Sequence, residues 1–99
     1  MGEAVTLEMV QEAQKRLQGV AQKTGLSFAN SVSKIADCQV YLKMENLQRT
    51  GSFKLRGAYN KVASLTPEER EKGVIAASAG NHAQGVALAA SAYGCQSTI

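Results

Sequence analysis

The sequence predicts an α/β fold, because two strand-like runs each lead through a short polar loop into a helix-like run. The first strand-like run covers residues 39–44, and a helical pattern follows over residues 56–64. The second covers residues 74–77 and precedes a helical pattern that Gly94 ends. Open α/β sheets bind ligands beyond the carboxyl ends of their strands, so the two intervening loops are the candidate site.

The N-terminal part predicts two helices and a turn. Apolar residues at helical spacing predict the first helix: Leu7, Val10, Ala13, Leu17 and Val20. Thr6 can cap the start of this helix. Residues 23–26 predict a turn, and residues 27–36 a short second helix. The residues of that second helix expected to face inward are Phe28, Val32 and Ile35.

The C-terminal half predicts three helices and two further strands. The face expected to be buried on the helix after the first loop is Leu55, Tyr59, Val62 and Leu65. Residues 66–69, Thr-Pro-Glu-Glu, form a capping box with proline at the first helical position, and Gly73 ends that short helix. Residues 74–77 are all apolar, as in a parallel strand covered on both faces, and residues 97–99 begin another strand. The buried stripe expected on the last helix is Ala83, Val86, Ala87, Ala90 and Tyr93.

Lys54 is the candidate reactive group of the first loop. An amine attacks a carbonyl only when unprotonated, a form that desolvation or a neighbouring cation favours. Phe53 beside it and Arg56 two residues on can supply these influences. Such a lysine can form a Schiff base with an aldehyde cofactor. The alternatives are a solvated surface lysine and, for Arg56, a structural ion pair.

The second loop, residues 78–82, reads Ser-Ala-Gly-Asn-His and opens a helix. Free N–H groups at a helix start bind anions, so the loop predicts a site for a carboxylate or a phosphate. It is neither a P-loop nor a dinucleotide fingerprint, because Gly-Lys-Ser/Thr and G-x-G-x-x-G are missing from it. The alternative is an ordinary capped helix.

Both loops resemble motifs of the fold-type II pyridoxal-phosphate enzymes. Residues 52–58, Ser-Phe-Lys-Leu-Arg-Gly-Ala, resemble the cofactor-lysine motif of that family. Residues 45–51, Glu-Asn-Leu-Gln-Arg-Thr-Gly, resemble the lead-in found in threonine dehydratases, and residues 78–85 follow at the family's spacing. The resemblance runs from about residue 7 to the end, and it is greatest for the catabolic threonine/serine dehydratases.

The resemblance implies the N-terminal part of a two-domain, parallel-sheet architecture like that of the tryptophan synthase beta chain. Residues 1–51 would begin the large domain and residues 52–99 the small one, with the cofactor in the cleft between them. The two predicted strands would then lie in different sheets. The family's Gly-Gly-Gly-Gly phosphate loop is missing from these 99 residues, so we expect the isolated chain to be an incomplete, inactive portion.

The resemblance also implies the roles of the site residues, with pyridoxal 5'-phosphate as the cofactor. Lys54 would form the Schiff base and move the substrate Cα proton, Phe53 would pack on the cofactor ring, and Asn81 would bind its phenolic oxygen. The residues implied for the substrate carboxylate, partly through their backbone N–H groups, are Ser78, Ala79, Gly80, Asn81 and His82. The alternative for His82 is a role through its backbone only. The implied reaction is β-elimination, from L-threonine to 2-oxobutanoate and ammonia or from serine to pyruvate and ammonia.

Composition and charge reduce the number of other functional classes that fit this chain. The net charge of +3 is spread along the chain, which favours a solvated surface over a nucleic-acid site. Apolar runs stay below the ~20 residues of a membrane span, and the two cysteines lack metal-ligand spacing, which favours free thiols in the cytoplasm and no metal. We expect an amino-acid substrate and a homo-oligomer at full length, serving amino-acid catabolism or isoleucine biosynthesis. The alternatives are a serine racemase-like enzyme and a non-catalytic interaction fragment.

Overall fold

The computed structural model describes residues 2–99; Met1, the first residue of the predicted large-domain part, lies outside them. Helices and short strands alternate along this part of the chain, as the predicted α/β class requires. The helices are α1 (Leu7–Leu17), α2 (Asn30–Ala36), α3 (Lys54–Ser64), α4 (Pro67–Glu71) and α5 (Asn81–Ala92). The strands are β1 (Leu26–Phe28), β2 (Tyr41–Lys43), β3 (Val74–Ile75) and β4 (Ser97–Thr98), and a 3-10 turn covers Glu45–Leu47.

The strands form two separate pairs. β1 and β2 run antiparallel, with Leu26 opposite Lys43. β3 and β4 run parallel, with Val74 opposite Ser97, and α5 makes the crossover between them. The two strands predicted to precede the loops therefore lie in different sheets, as the resemblance implied.

The hydrophobic core forms where α3 and α5 cross, and we call it the α3–α5 core. Its buried residues are Leu55, Ala58, Tyr59, Val62, Val86 and Ala89. Leu17 at the end of α1 and Val20 after it pack against the same core from the N-terminal side. Small residues on both helices let the two backbones come close, and this contact positions the two candidate loops.

The predicted helix boundaries rest on caps that the structure contains. The hydroxyl of Thr6 accepts a hydrogen bond from the Met9 N–H at 3.2 Å, which starts α1. At α4 the Thr66 hydroxyl accepts from the Glu69 N–H at 3.2 Å, and the Glu69 carboxylate accepts from the Thr66 N–H at 2.8 Å. Gly73 after α4 has φ +82°, and a Cβ there would lie 2.9 Å from the Gln96 carbonyl oxygen. The capping box and the Gly73 stop are thus confirmed.

The helix predicted over residues 27–36 is confirmed for residues 30–36, whereas its predicted start and its inward-facing residues are wrong. Phe28 belongs to β1, where its ring meets that of Tyr41 edge-on at 5.4 Å, and α2 begins only at Asn30. The Ala29 N–H donates to the Val40 carbonyl at 2.9 Å, which keeps this backbone extended up to the helix. The residues expected to face inward are all exposed: Phe28, Val32 and Ile35.

The burial observed for β3 and α5 also differs from the burial predicted for them. The strand predicted over residues 74–77 is only β3, and Ile75 is 83% exposed, so it is not covered on both faces here. On α5 the buried face includes Gly85 and Ala89, while Tyr93 stays 38% exposed. Periodicity identified α5 correctly but placed its stripe slightly off, because the core lies on the side that meets α3.

The two cysteines are free, as predicted, and they differ in exposure. Cys38 is exposed, whereas Cys95 is buried and its thiol donates to the Arg70 carbonyl oxygen at 3.2 Å. Among residues 2–99, no three His, Cys, Asp or Glu side chains group as metal ligands. In the same described range, every helix is too short or too polar to cross a bilayer.

Candidate functional site

Lys54 opens α3, and its side chain is exposed. Its Nζ lies 5.2 Å from the centroid of the Phe53 ring, which is 60% exposed. Ser52 is buried below this turn, and its hydroxyl accepts from the Lys54 N–H at 3.4 Å. The amine and the aromatic ring therefore lie together on the surface. The turn that carries them is held by the hydrogen bond to the buried Ser52 side chain.

The second loop is closed by the side chain of Ser78. Its hydroxyl accepts from the Gly80 N–H at 3.3 Å and from the Ala83 N–H at 3.2 Å. Gly80 is the N-cap of α5, and the exposed residues Asn81 and His82 form the start of the helix. The first turn of a helix has N–H groups without intrahelical partners, so this end of α5 is suited to an anionic group.

Gly85 brings the two loops together. A Cβ at this position would lie 3.1 Å from both the carbonyl carbon and the carbonyl oxygen of Lys54, and 3.2 Å from the Leu55 nitrogen. The backbone of α5 therefore touches the start of α3 one turn after Asn81. The contact places the Lys54 turn and the 78–82 loop side by side, although the two are well separated along the chain.

Arg56 forms an ion pair with Glu45, which resolves the alternatives left open for this residue. Its Nε and Nη2 donate to the two carboxylate oxygens of Glu45, the second at 3.2 Å. The Thr24 hydroxyl donates to the same carboxylate at 2.7 Å and the Gln48 amide at 3.4 Å. These donors, Arg56 first, lower the pKa of Glu45 to about 2, although partial burial opposes the shift.

Gln48 links this ion pair to the chain before β1. Its side-chain amide accepts from the Gln22 N–H at 2.8 Å and donates to the Gln22 carbonyl at 2.9 Å. The residue is 4% exposed, so both ends of a buried amide are satisfied. The hydrogen bonds of Thr24 and Gln48 could not be predicted from the sequence, because isolated polar residues in loops carry no periodic signal.

A largely apolar cavity lies beside α3, and Lys54 is not among the residues that line it. It has a volume of about 460 Å³ between α3, α4, β3 and α5. Of the predicted site residues that the structure describes, His82 alone lines it. The predicted site is thus an open surface between two helix starts, and the cavity shares His82 with it.

A protein-family model matches residues 17–99 of the chain. The family is described as pyridoxal-phosphate dependent enzyme. The matched region includes both loops and the α3–α5 core.

Curated relatives with high identity extend this finding. The chain is 58% identical over 95 residues to the L-threonine ammonia-lyase of Thermotoga maritima, covering 96% of this chain and 24% of that protein. It is 48% identical over 95 residues to the catabolic L-threonine dehydratase of Escherichia coli (strain K12), covering 96% of this chain and 29% of the relative. The chain therefore spans about a quarter of the length of these relatives.

Solved structures share the same fold. Maize serine racemase superposes with a TM-score of 0.86 at 35% identity, covering 96% of this chain and 30% of the racemase. The threonine deaminase of Solanum lycopersicum, isoform 2 in its processed form, superposes with a TM-score of 0.74 at 44% identity, covering 95% of this chain and 27% of the deaminase. These superpositions confirm the predicted architecture, a portion of the fold that these enzymes share.

Proposed function

Because the chain belongs to the family of pyridoxal-phosphate dependent enzymes, we propose that it supplies the cofactor-binding lysine, and the residues around it, to the active site of an L-threonine ammonia-lyase. The observation that supports this most strongly is the contact of Gly85 with the Lys54 backbone, which joins the amine to the 78–82 loop. The identities to a threonine ammonia-lyase and a catabolic threonine dehydratase favour this activity within the family.

The residues of the surface fit the chemical groups of the cofactor. The exposed amine of Lys54 is accessible to an aldehyde, and the neighbouring Phe53 ring offers an apolar face to a pyridine ring. Asn81, at the start of α5, offers an amide that can bind the phenolic oxygen. When bound, pyridoxal phosphate supplies the electron sink that stabilises negative charge at the substrate Cα.

The start of α5 is the proposed site for the substrate carboxylate. Backbone N–H groups there point out of the helix, and the helix dipole favours a negative group. Ser78 holds the turn by accepting the N–H groups of Gly80 and Ala83. The residues proposed to line this site are Ser78, Ala79, Gly80, Asn81 and His82.

Lys54 has the second role of moving a proton. In β-elimination its Nζ takes the proton from the substrate Cα, the bond between Cβ and the hydroxyl oxygen breaks, and the hydroxyl leaves as water with one proton, so that H and OH are lost in balance. Water is taken up again when ammonia is released, so L-threonine gives 2-oxobutanoate and ammonia in balance. A carboxylate held at α5 would orient the Cα proton toward the amine, because the two helix starts are in contact.

A racemase is the second candidate function. It is favoured by the TM-score of 0.86 to maize serine racemase, which is higher than the 0.74 for the Solanum lycopersicum threonine deaminase. Racemization also begins with removal of the Cα proton, so the proposed site serves either reaction. Formation of D-serine rather than pyruvate from L-serine would favour the racemase.

The domain division, location and assembly are parts of the same proposal. We propose residues 1–51 as the start of a large domain and residues 52–99 as the start of a small one. The separation of the β1–β2 and β3–β4 sheets supports this boundary, while Leu17 packing on the α3–α5 core links the two parts. A cytoplasmic homo-oligomer acting on a free amino acid in amino-acid catabolism, or in isoleucine biosynthesis, completes the proposal, with no nucleic-acid partner.

The amine is tested by reductive labelling. The purified chain is incubated with pyridoxal phosphate, its visible absorbance is recorded, and the adduct is reduced with borohydride and mapped by peptide analysis. We expect the label on Lys54 and its loss in Lys54→Ala. Lys61→Ala, at an exposed lysine of the same helix, should keep it. A label spread evenly over the seven lysines would contradict the proposal.

Turnover is tested separately, by following 2-oxobutanoate formation from L-threonine. We expect the 99-residue chain to be inactive or nearly so, because Phe53 is 60% exposed and the site stays open to water. Turnover that is lost in Lys54→Ala would contradict this expectation of inactivity while supporting the proposed reaction.

A further inference from the structure

We propose that Arg56, held by Glu45, is a positioning residue that fixes the direction in which the Lys54 side chain leaves α3. The inference rests on the proposed function, because it concerns the amine offered to pyridoxal phosphate. It adds the physical cause that keeps this amine at the surface beside Phe53, and it assigns a role to the Thr24–Glu45–Gln48–Arg56 cluster.

Three consecutive residues define the rotation of α3 about its axis. Successive side chains on an α-helix point about 100° apart. Leu55 is fully buried in the α3–α5 core, and Arg56 turns to Glu45, so Lys54 has the remaining, exposed direction. Rotation of this turn would break the ion pair and lift Leu55 out of the core, so the two contacts together orient the amine.

The arginine is suited to this role by its shape. Its guanidinium donates through Nε and Nη2 to both oxygens of Glu45, and Nη2 also donates to the Gln22 carbonyl at 3.4 Å. A planar group with two fixed donors has one favourable orientation against a carboxylate, whereas a lysine ammonium has many. Replacing arginine by lysine therefore keeps the charge and removes the orientation.

Glu45 is itself fixed by other parts of the chain. The Thr24 hydroxyl donates to it at 2.7 Å, and Gln48, which also contacts it, is hydrogen-bonded to both the N–H and the carbonyl of Gln22. The Glu45 side chain is 14% exposed. The carboxylate of Glu45 therefore has a fixed position, unlike a flexible surface acid. Because Arg56 pairs with this carboxylate, the ion pair also restricts the orientation of α3.

The test compares labelling selectivity in Arg56→Lys with that of the unchanged chain, using pyridoxal phosphate, borohydride and peptide mapping. The share of label on Lys54 is counted among the seven lysines that all variants have in common. We expect this share to fall by about threefold or more in Arg56→Lys, because the oriented fork is lost. Arg16→Lys is the matched control, since Arg16 pairs with Glu12 at 3.6 Å and donates to the Asn60 side chain in the second half of α3 at 3.1 Å, away from the turn that carries Lys54. This control should keep the share on Lys54 unchanged.

A purely stabilising role predicts a different result. Val62→Ala weakens the α3–α5 core without touching the cluster, so it lowers stability while the folded molecules keep Lys54 as the preferred lysine. If Arg56→Lys keeps the share of label on Lys54, or loses no more of it than Val62→Ala at equal folded fraction, the inference is overturned.

A second readout separates this inference from the proposed function. If the unchanged chain shows no preference for Lys54, the proposed function fails, and amide hydrogen exchange then decides the positioning role. The Arg56 N–H donates to the Phe53 carbonyl at 3.0 Å, and in Glu45→Gln we expect it to exchange about tenfold faster while the Val62 amide is unchanged. Equal exchange of the Arg56 amide in both proteins would refute it.

Discussion

Gly85 controls how closely the two helices that carry the candidate site approach each other. The backbone atoms of Lys54 lie where a side chain at position 85 would begin, at 3.1 Å. Backbone atoms cannot turn aside as the end of a flexible side chain can, so a Cβ here would have to push the helices apart. A glycine inside a helix normally lowers stability, and at this position close packing offsets that cost.

Two glycine-to-alanine changes test this directly. Gly57→Ala, in α3 with open space around the new Cβ, should raise the free energy of unfolding by about 0.5–1 kcal/mol. Gly85→Ala should instead lower it by about 1 kcal/mol, because overpacking exceeds the gain in helix propensity. Urea unfolding measures both. Equal stabilisation by the two changes would contradict the close contact.

Glu45 makes stability depend on acid pH. Its pKa is lowered from 4.5 to about 2 in the folded chain, so the unfolded chain takes up the proton first as pH falls. The stabilisation is therefore complete above about pH 4.5 and disappears as pH falls toward 2. We expect a loss of about 1 kcal/mol, because Arg56 is one-third exposed and the pair is partly screened.

The measurement is urea unfolding between about pH 6 and pH 2, with Glu45→Gln as the matched variant. The amide does not titrate, so the variant should be less stable at the upper end of this range, and the difference should shrink as the pH falls. A constant difference across this pH range would show that the carboxylate does not carry the effect.

At the scale of the elements, periodicity and caps correctly predicted the helices whose formation depends on interactions within the helix itself. α1, α3 and α5 follow from apolar spacing, and α4 from its capping box, since each signal lies within one element. Residues 26–29 were misassigned, because the apolar spacing that continues into α2 fits a helix while hydrogen bonds to residues 40–43 keep these four residues extended. Pairing with a distant segment cannot be read from local spacing.

The capping box of α4 gives a prediction at this scale. Thr66→Ala removes the acceptor for the Glu69 N–H and should cost about 1 kcal/mol of stability. Thr66→Ser keeps a hydroxyl in the same place and should cost much less. Urea unfolding measures both variants. An equal loss in the two would mean that the methyl group of Thr66, rather than its hydroxyl, supports α4.

At the scale of the whole molecule, the chain is extended. Its radius of gyration is 16.1 Å with extents of 51 × 30 × 30 Å, whereas a compact chain of this length has a radius of about 13 Å. The buried side chains lie mainly in the α3–α5 core, while every residue of β1 and β2 is exposed. Stability is therefore expected to be uneven along the chain.

Hydrogen exchange followed by mass spectrometry tests this unevenness. We expect the amides of α2, β1 and β2 to exchange first and those of α3 and α5 last, because only the latter cover a shared core. Val62→Ala should speed exchange in both α3 and α5 and leave α2 unchanged. Uniform protection along the chain would contradict this picture.

For the candidate site, as for the fold, contacts between distant segments could not be predicted from the sequence. The motif around Lys54 and the 78–82 loop could be identified from the sequence, because their residues are contiguous and resemble a family pattern. The hydrogen bonds of Thr24 and Gln48 with Glu45, and the contact of Gly85 with Lys54, join distant segments. Such contacts depend on the packing of α3 against α5, which no single stretch of sequence encodes.

The unequal burial of the two thiols allows the opening rate of one end of the chain to be measured. An alkylating reagent can reach Cys38 at once, whereas Cys95 is sheltered between the end of α5 and β4. Cys95 therefore reacts only during moments when this end of the chain opens. The ratio of the two alkylation rates then reports how often it opens, with Cys38 as the internal standard and no added probe.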